Sequence, residues 1–277
     1  MKLSTKRSAK TEQVLSDAAY ETHAAVHEVR SQPMGVLMTS LRNRETRSRD
    51  FQVCTDRASR YEDAGHASLT SLSTISIKAT HSRCILLPRR LLLEETLARV
   101  PMREVDIVTP YEYECEGVVA DKPSCGISIS EDGCALLQVF RQIQPTSPTG
   151  CITWSGLEGR GSEPRLQKVC APPGLRAYNV LLMDATCVTG ASACVAIQTL
   201  LDLGSRESSI YFVCLLASTV AVSEICSRFP EVRIVTGGVD SEVNEMHEIC
   251  PGLGDFTERY FNTTVVHHTS VEAHVDL

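Results

Sequence analysis

The chain has 277 residues, 43% of them hydrophobic, and a formal net charge of -7. This length suits one compact α/β domain with additions, and the apolar share is ordinary for a globular protein. The acidic balance argues against a nucleic-acid partner, although residues 1–60 carry 11 Lys and Arg against 7 Asp and Glu, which reads as a basic arm on an acidic body.

Twelve cysteines include no C-x-x-C and none paired with histidine at zinc spacing. Several sit inside apolar runs, where cysteine behaves as a small hydrophobe, so free thiols in a reducing, cytoplasmic compartment are expected. No secretory signal or membrane-spanning run is read, so neither a membrane nor nucleic acid is an expected partner.

In chain order, residues 1–33 read as a polar extension with a helix around 11–29. Residues 34–41 are apolar and lead into a charged loop at 42–46. The stretch 58–88, rich in Ser, Thr and His and closed by Pro88, reads as a surface insertion. A helix follows at 91–100, then strands at 105–110, 111–119 and 124–130 and a helix at 135–143. A short strand at 150–155 runs into a glycine-rich loop at 156–164. Beyond it come a strand at 177–184, a helix from 193 to 201 and a continuous apolar strand at 210–217. Ser218 or Thr219 can cap a helix at 220–229, and a strand at 232–236 closes the alternation. Strands alternating with helices predict right-handed βαβ units and a mostly parallel sheet, with ligands beyond the carboxyl ends of the strands. Asp184, Ser218 and Gly237 mark such ends.

The stretch Val180-Leu-Leu-Met-Asp184-Ala185-Thr186-Cys187-Val188-Thr189-Gly190-Ala191-Ser192 carries the most chemistry. A strand stopping on an acid, a small-residue loop and a helix N-terminus gather backbone N–H groups at one point, which favours a phosphate. Thr189 and Ser192 add hydroxyls there, and Asp184 adds a carboxylate able to take sugar hydroxyls. The plain alternative is an ordinary strand-to-helix turn. Trp154 reads as core. The histidines share no metal-like spacing, so no protein-borne metal site is expected. The glycines at 156, 159 and 161 lack the strand-to-helix context of a dinucleotide fingerprint.

Several segments together resemble the uracil phosphoribosyltransferases of the type I phosphoribosyltransferase group. They are the 182–192 stretch, Arg228-Phe-Pro-Glu-Val-Arg-Ile-Val-Thr236, Gly238-Val-Asp240-Ser-Glu-Val-Asn244, and Cys250-Pro-Gly-Leu-Gly254-Asp255-Phe256-Thr-Glu-Arg259-Tyr-Phe261. Upstream matches at Leu41-Arg42 to Thr46, Asp50-Phe51, Leu92 to Glu95 and Thr109 to Gly117 follow in order. The resemblance implies a mostly parallel twisted sheet flanked by helices, with a small hood. It places a phosphoribosyltransferase domain over 34–265 and a tail at 266–277.

The implied reaction is uracil plus 5-phosphoribosyl 1-pyrophosphate (PRPP) to UMP and pyrophosphate. In that reading the loop Asp184, Ala185, Thr186, Cys187, Val188, Thr189, Gly190, Ala191 and Ser192 holds the ribose 5-phosphate. Ile249, Gly254, Asp255 and Phe256 receive uracil. Asp184 and Asp255 are the candidate catalytic acids, and Asp255 also faces PRPP. Mg²⁺ arrives on the pyrophosphate, and the resemblance further implies a homo-oligomer and GTP as an activator. The chain departs from the family pattern where a pyrophosphate-side arginine becomes Glu131, where a second becomes Gly156, and where the proline after the loop acid becomes Ala185. Arg160 and Arg165 lie near the second position. These departures predict weakened turnover, and a diverged paralogue that binds nucleotide without turnover is the alternative.

Overall fold

The computed structural model describes residues 25–48, 51, 88–130, 132–155 and 165–262. The expected insertion up to residue 87, most of the helix expected at 11–29, Glu131, the glycine-rich loop with Gly156 and Arg160, and the tail from 263 lie outside these residues.

The centre is an eight-stranded sheet. Its strands are β1 (Val26–Glu28), β4 (Ser124–Ile129), β5 (Thr149–Ser155), β6 (Arg165–Cys170), β7 (Asn179–Cys187), β8 (Ile210–Ser218), β9 (Arg233–Thr236) and β10 (Val239–Asp240). The order is β1-β9-β8-β7-β4-β5-β6, with β10 added beside the end of β8. Every pairing is parallel except β5 with β6. β7 and β8 are buried along nearly their whole length, as central parallel strands must be. Their side chains alternate between two cores. Val180, Leu182, Ile210, Phe212 and Cys214 face helices α4 (Ala191–Asp202) and α5 (Thr219–Arg228). Leu181, Met183, Tyr211, Val213 and Leu215 face α1 (Gln32–Arg42), α2 (Pro88–Leu97), α3 (Cys134–Ile143) and α6 (Phe256–Phe261).

Three expectations change. Val26–Glu28 is an edge strand on β9 rather than the end of a helix, because its backbone completes the open edge of Ile234–Thr236. β6 is an additional polar edge strand, antiparallel to β5. The stretch 109–113 is a turn, with Glu112 at φ 64 and Thr109 bonded to Tyr113, so β2 (Met102–Val108) and β3 (Glu114–Ala120) form a separate antiparallel hairpin. Finally, β7 does not stop at Asp184. Thr186 and Cys187 still pair with Leu216 and Ala217, which leaves Asp184 inside the strand and only 9% exposed.

Candidate functional site

The carboxyl edge of β7 and β8 is built around one serine. Ser218 ends β8, and its Oγ accepts from Ala221 N (2.9 Å), which caps α5. The same hydroxyl donates to the carbonyl of Val188 in the β7–α4 loop. Its neighbour Thr219 donates to the Ser241 carbonyl (3.1 Å). Two adjacent hydroxyls therefore fix the loop after β7 on one side and the segment after β10 on the other. Gly190 carries the turn at φ 80, where a side chain is strained, and a Cβ there would press on the Ala221 carbonyl at 3.1 Å.

That turn presents the start of α4 with no side-chain cap. The first N–H groups of a helix need partners and sit at the positive end of its dipole. The Ser192 side chain lies among them, 6% exposed, and its Oγ is buried with no hydrogen-bond partner among the described residues. Thr189 is exposed, and its hydroxyl accepts weakly from Ala191 N (3.3 Å). Asp184 Oδ1 accepts from the backbone N–H of Ala185 (2.8 Å). Ala185 and Cys187 are buried, and Thr186 and Val188 are half-buried. The expected anion loop thus divides into the end of β7 through Cys187, a turn at 188–190 and the start of α4 at Ala191 and Ser192, with Asp184 set back in the sheet behind the turn.

The second expected cluster lies after β10. The short strands β11 (Glu242–Val243) and β12 (Ile249–Cys250) pair antiparallel, followed by a cis Cys250–Pro251 peptide and the turn 251–254. Ile249 is buried, whereas Gly254 and Asp255 are exposed. Asp255 caps α6 by accepting from Glu258 N (2.8 Å), so one carboxylate oxygen serves the helix. The Phe256 ring is buried, stacked 5.2 Å from Tyr260 and edge-on to Phe51, which leaves only its backbone for a ligand.

Residues with no role assigned from sequence hold this turn. Arg42 and Asp240 form a double contact of 2.6 Å each, and Arg259 donates to the carbonyls of Leu41, Leu253 and Asn43. Both arginines and Asp240 stand in the matched segments, but no local periodicity pairs residues some 200 positions apart. On the pyrophosphate side, Ser130 adopts φ 52 and Asp132 accepts from the Thr257 hydroxyl, tying the turn after β4 to α6. Arg165 opens β6.

A switch-point sheet with an uncapped, serine-lined helix start and a backbone-lined turn on the same edge defines a protein of the type I phosphoribosyltransferase fold. The family model "Uracil phosphoribosyltransferase" matches residues 70–263. The uracil phosphoribosyltransferase of Dictyostelium discoideum is 32% identical over 230 residues, covering 82% of this chain and 91% of that one. The chain belongs to the uracil phosphoribosyltransferase family. Mouse uridine-cytidine kinase-like 1 is 34% identical over 64% of this chain, which spans 32% of that longer protein. Among solved structures, the AQ2163 protein of Aquifex aeolicus has a TM-score of 0.66 at 18% identity, covering 87% of this chain and all of that one, a likeness of fold.

Proposed function

We propose that the chain is a phosphoribosyltransferase-like protein of pyrimidine salvage that binds uracil, PRPP and UMP at the β7–β8 edge and makes UMP slowly. The observation that carries this reading is the Ser192 hydroxyl, buried with no partner among the described residues at the start of α4. A buried polar group left unpaired is costly, and a phosphate at a helix N-terminus is its natural partner. Loop 184–192 takes the 5-phosphate and sugar, and 249–256 reads the base through its backbone. Among the described residues no three metal-binding side chains converge. A segment 184–192 with one carboxylate, Asp184 within β7, suits Mg²⁺ held mainly by substrate oxygens, as this ion prefers. When bound, Mg²⁺ would neutralise the departing pyrophosphate.

The remaining implied properties have narrower support. Exposed apolar side chains on the β2–β3 hairpin, among them Val108, Tyr111, Tyr113 and Val118, favour a homo-oligomer. A cleft of about 520 Å³ lies against the base turn, lined by Arg44, Arg47 and residues 251–254, and suits an anionic ligand at that turn, whereas GTP as an activator rests on the family resemblance. Among the described residues no helix is long and apolar enough to cross a membrane, and the cytoplasm is the proposed location.

Glu131 and Gly156 replace family arginines, which favours the second reading, a nucleotide binder with little or no turnover. The test measures UMP binding by calorimetry and UMP formation from uracil and PRPP. UMP should bind, and turnover should rise in Glu131→Arg, alone or with Gly156→Arg, while UMP affinity stays nearly constant. Binding without any turnover in either variant would establish the second reading. Absence of UMP binding would overturn both.

A further inference from the structure

We propose that the Arg42–Asp240 pair is the positioning device of the base loop, setting its span from the phosphate loop, resting as this does on the reading of 249–256 as that loop. Asp240 is nearly buried, its side chain 7% exposed, and Arg42 closes over it in a two-pronged contact. Both groups also engage Gly252. Its N–H donates to Asp240 Oδ2 (2.9 Å), and its carbonyl accepts from Arg42 Nη1 (3.2 Å). Gly252 stands at φ 65, and a Cβ there would come within 2.0 Å of the Ile249 carbonyl, so the turn admits no side chain at this point. The Leu253 carbonyl is taken by Arg259. Among the described residues of the turn, the Pro251 carbonyl, the Leu253 N–H and both backbone groups of Gly254 have no intramolecular hydrogen bond. Donors and acceptors fixed on one short turn suit the edge of a pyrimidine dione.

The pair also reaches the phosphate loop. Asp240 is in register with Ser218, the residue whose hydroxyl donates to Val188. The separation between the base turn and the 188–192 turn is therefore set through Asp240, Ser218 and Val188. A nucleotide monophosphate spans both turns, whereas ribose 5-phosphate needs only one. A largely buried ion pair is weak support for stability, since apolar residues of similar volume often serve as well, but its forked geometry fixes orientation.

The experiment compares UMP with ribose 5-phosphate by calorimetry on the full chain, with hydrogen exchange followed over residues 249–256. In Asp240→Asn, UMP affinity should fall at least tenfold while ribose 5-phosphate changes less than twofold, and exchange in the turn should rise. If that variant does not fold, Arg42→Lys, which keeps the charge but loses the fork, carries the same comparison. A wild type that prefers UMP, with a folded variant that keeps that preference and the slow exchange, overturns the positioning role alone. A wild type that binds the two ligands equally overturns the base-loop reading and the positioning role with it.

Discussion

Replacing Ser192 by alanine should stabilise the ligand-free protein and weaken phosphate binding at once. The hydroxyl is buried and unpartnered, a state that costs on the order of 1–3 kcal/mol. Alanine is also the better helix former at the second residue of α4. Taking the lower end, a gain of about 1 kcal/mol raises the melting temperature by roughly 2–4 °C in a domain of this size class. With a phosphate in place the balance reverses, because a hydrogen bond to a charged group contributes about 1.5–3 kcal/mol. UMP affinity should then drop roughly 10- to 150-fold. Melting scans with and without UMP, together with calorimetry, read both effects on one sample. A variant that melts lower and binds UMP as tightly as before would refute the argument, since the hydroxyl would then serve the fold rather than a ligand.

Two further outcomes follow from the ionisable groups. His27 Nε2 lies 2.6 Å from Arg99 Nη2, which can only donate, so the ring accepts and is neutral; burial first and Arg99 second lower its pKa against the opposing pull of Glu95 and Glu28. The unfolded chain thus binds this proton more readily, so the His27 contribution is full above pH 6.5 and is lost as pH falls through that value toward the lowered folded one. His27→Gln should narrow the difference in melting temperature between pH 7.5 and 5.5, and an unchanged difference would contradict the assignment. Burial pushes the thiols of Cys125 and Cys214 up to about 12, so alkylation at pH 8 followed by mass spectrometry should mark exposed Cys115 and Cys170 and spare these two in the native protein.

The central strands were legible in the sequence because parallel strands buried on both faces read as unbroken apolar runs, as in Ile210–Ser218. Helices α2 to α5 carried their own periodicity and Ser218 was readable as a cap, whereas α1 and the short α6 were not legible as helices. β1 was missed because three residues beside a polar segment carry no periodicity; only the open edge of β9 makes them a strand. The end of β7 was placed too early because Ala185-Thr186-Cys187 lacks bulk, although its backbone still has β8 to pair with. The turn after β7 was legible as a composition of small and hydroxyl residues. The grip of Arg42, Asp240 and Arg259 on the base turn was not, since it joins chain segments that only the folded sheet edge brings together.

The change of the family proline to Ala185 has a consequence for Asp184. Proline has no N–H, so in the family pattern nothing at that position can hold the preceding carboxylate. Here the Ala185 N–H does, at 2.8 Å, and it draws one oxygen of the candidate sugar-binding acid back along its own strand. Ala185 is absent from the pairing registers of both neighbours, which run through Met183 on β4 and pass from Asp184 to Thr186 on β8. Restoring the proline therefore removes no residue from a register pair, and the extended conformation it imposes on the preceding residue suits a strand. Ala185→Pro should melt cooperatively within a few degrees of the wild type. Releasing one charged hydrogen bond of about 1.5 kcal/mol or more should raise affinity for ribose 5-phosphate by up to roughly tenfold. The double variant with Asp184→Asn tests the cause, because the gain must vanish when the carboxylate is gone. An Ala185→Pro protein that folds and binds ribose 5-phosphate no better would mean that Asp184 serves the strand and not the sugar.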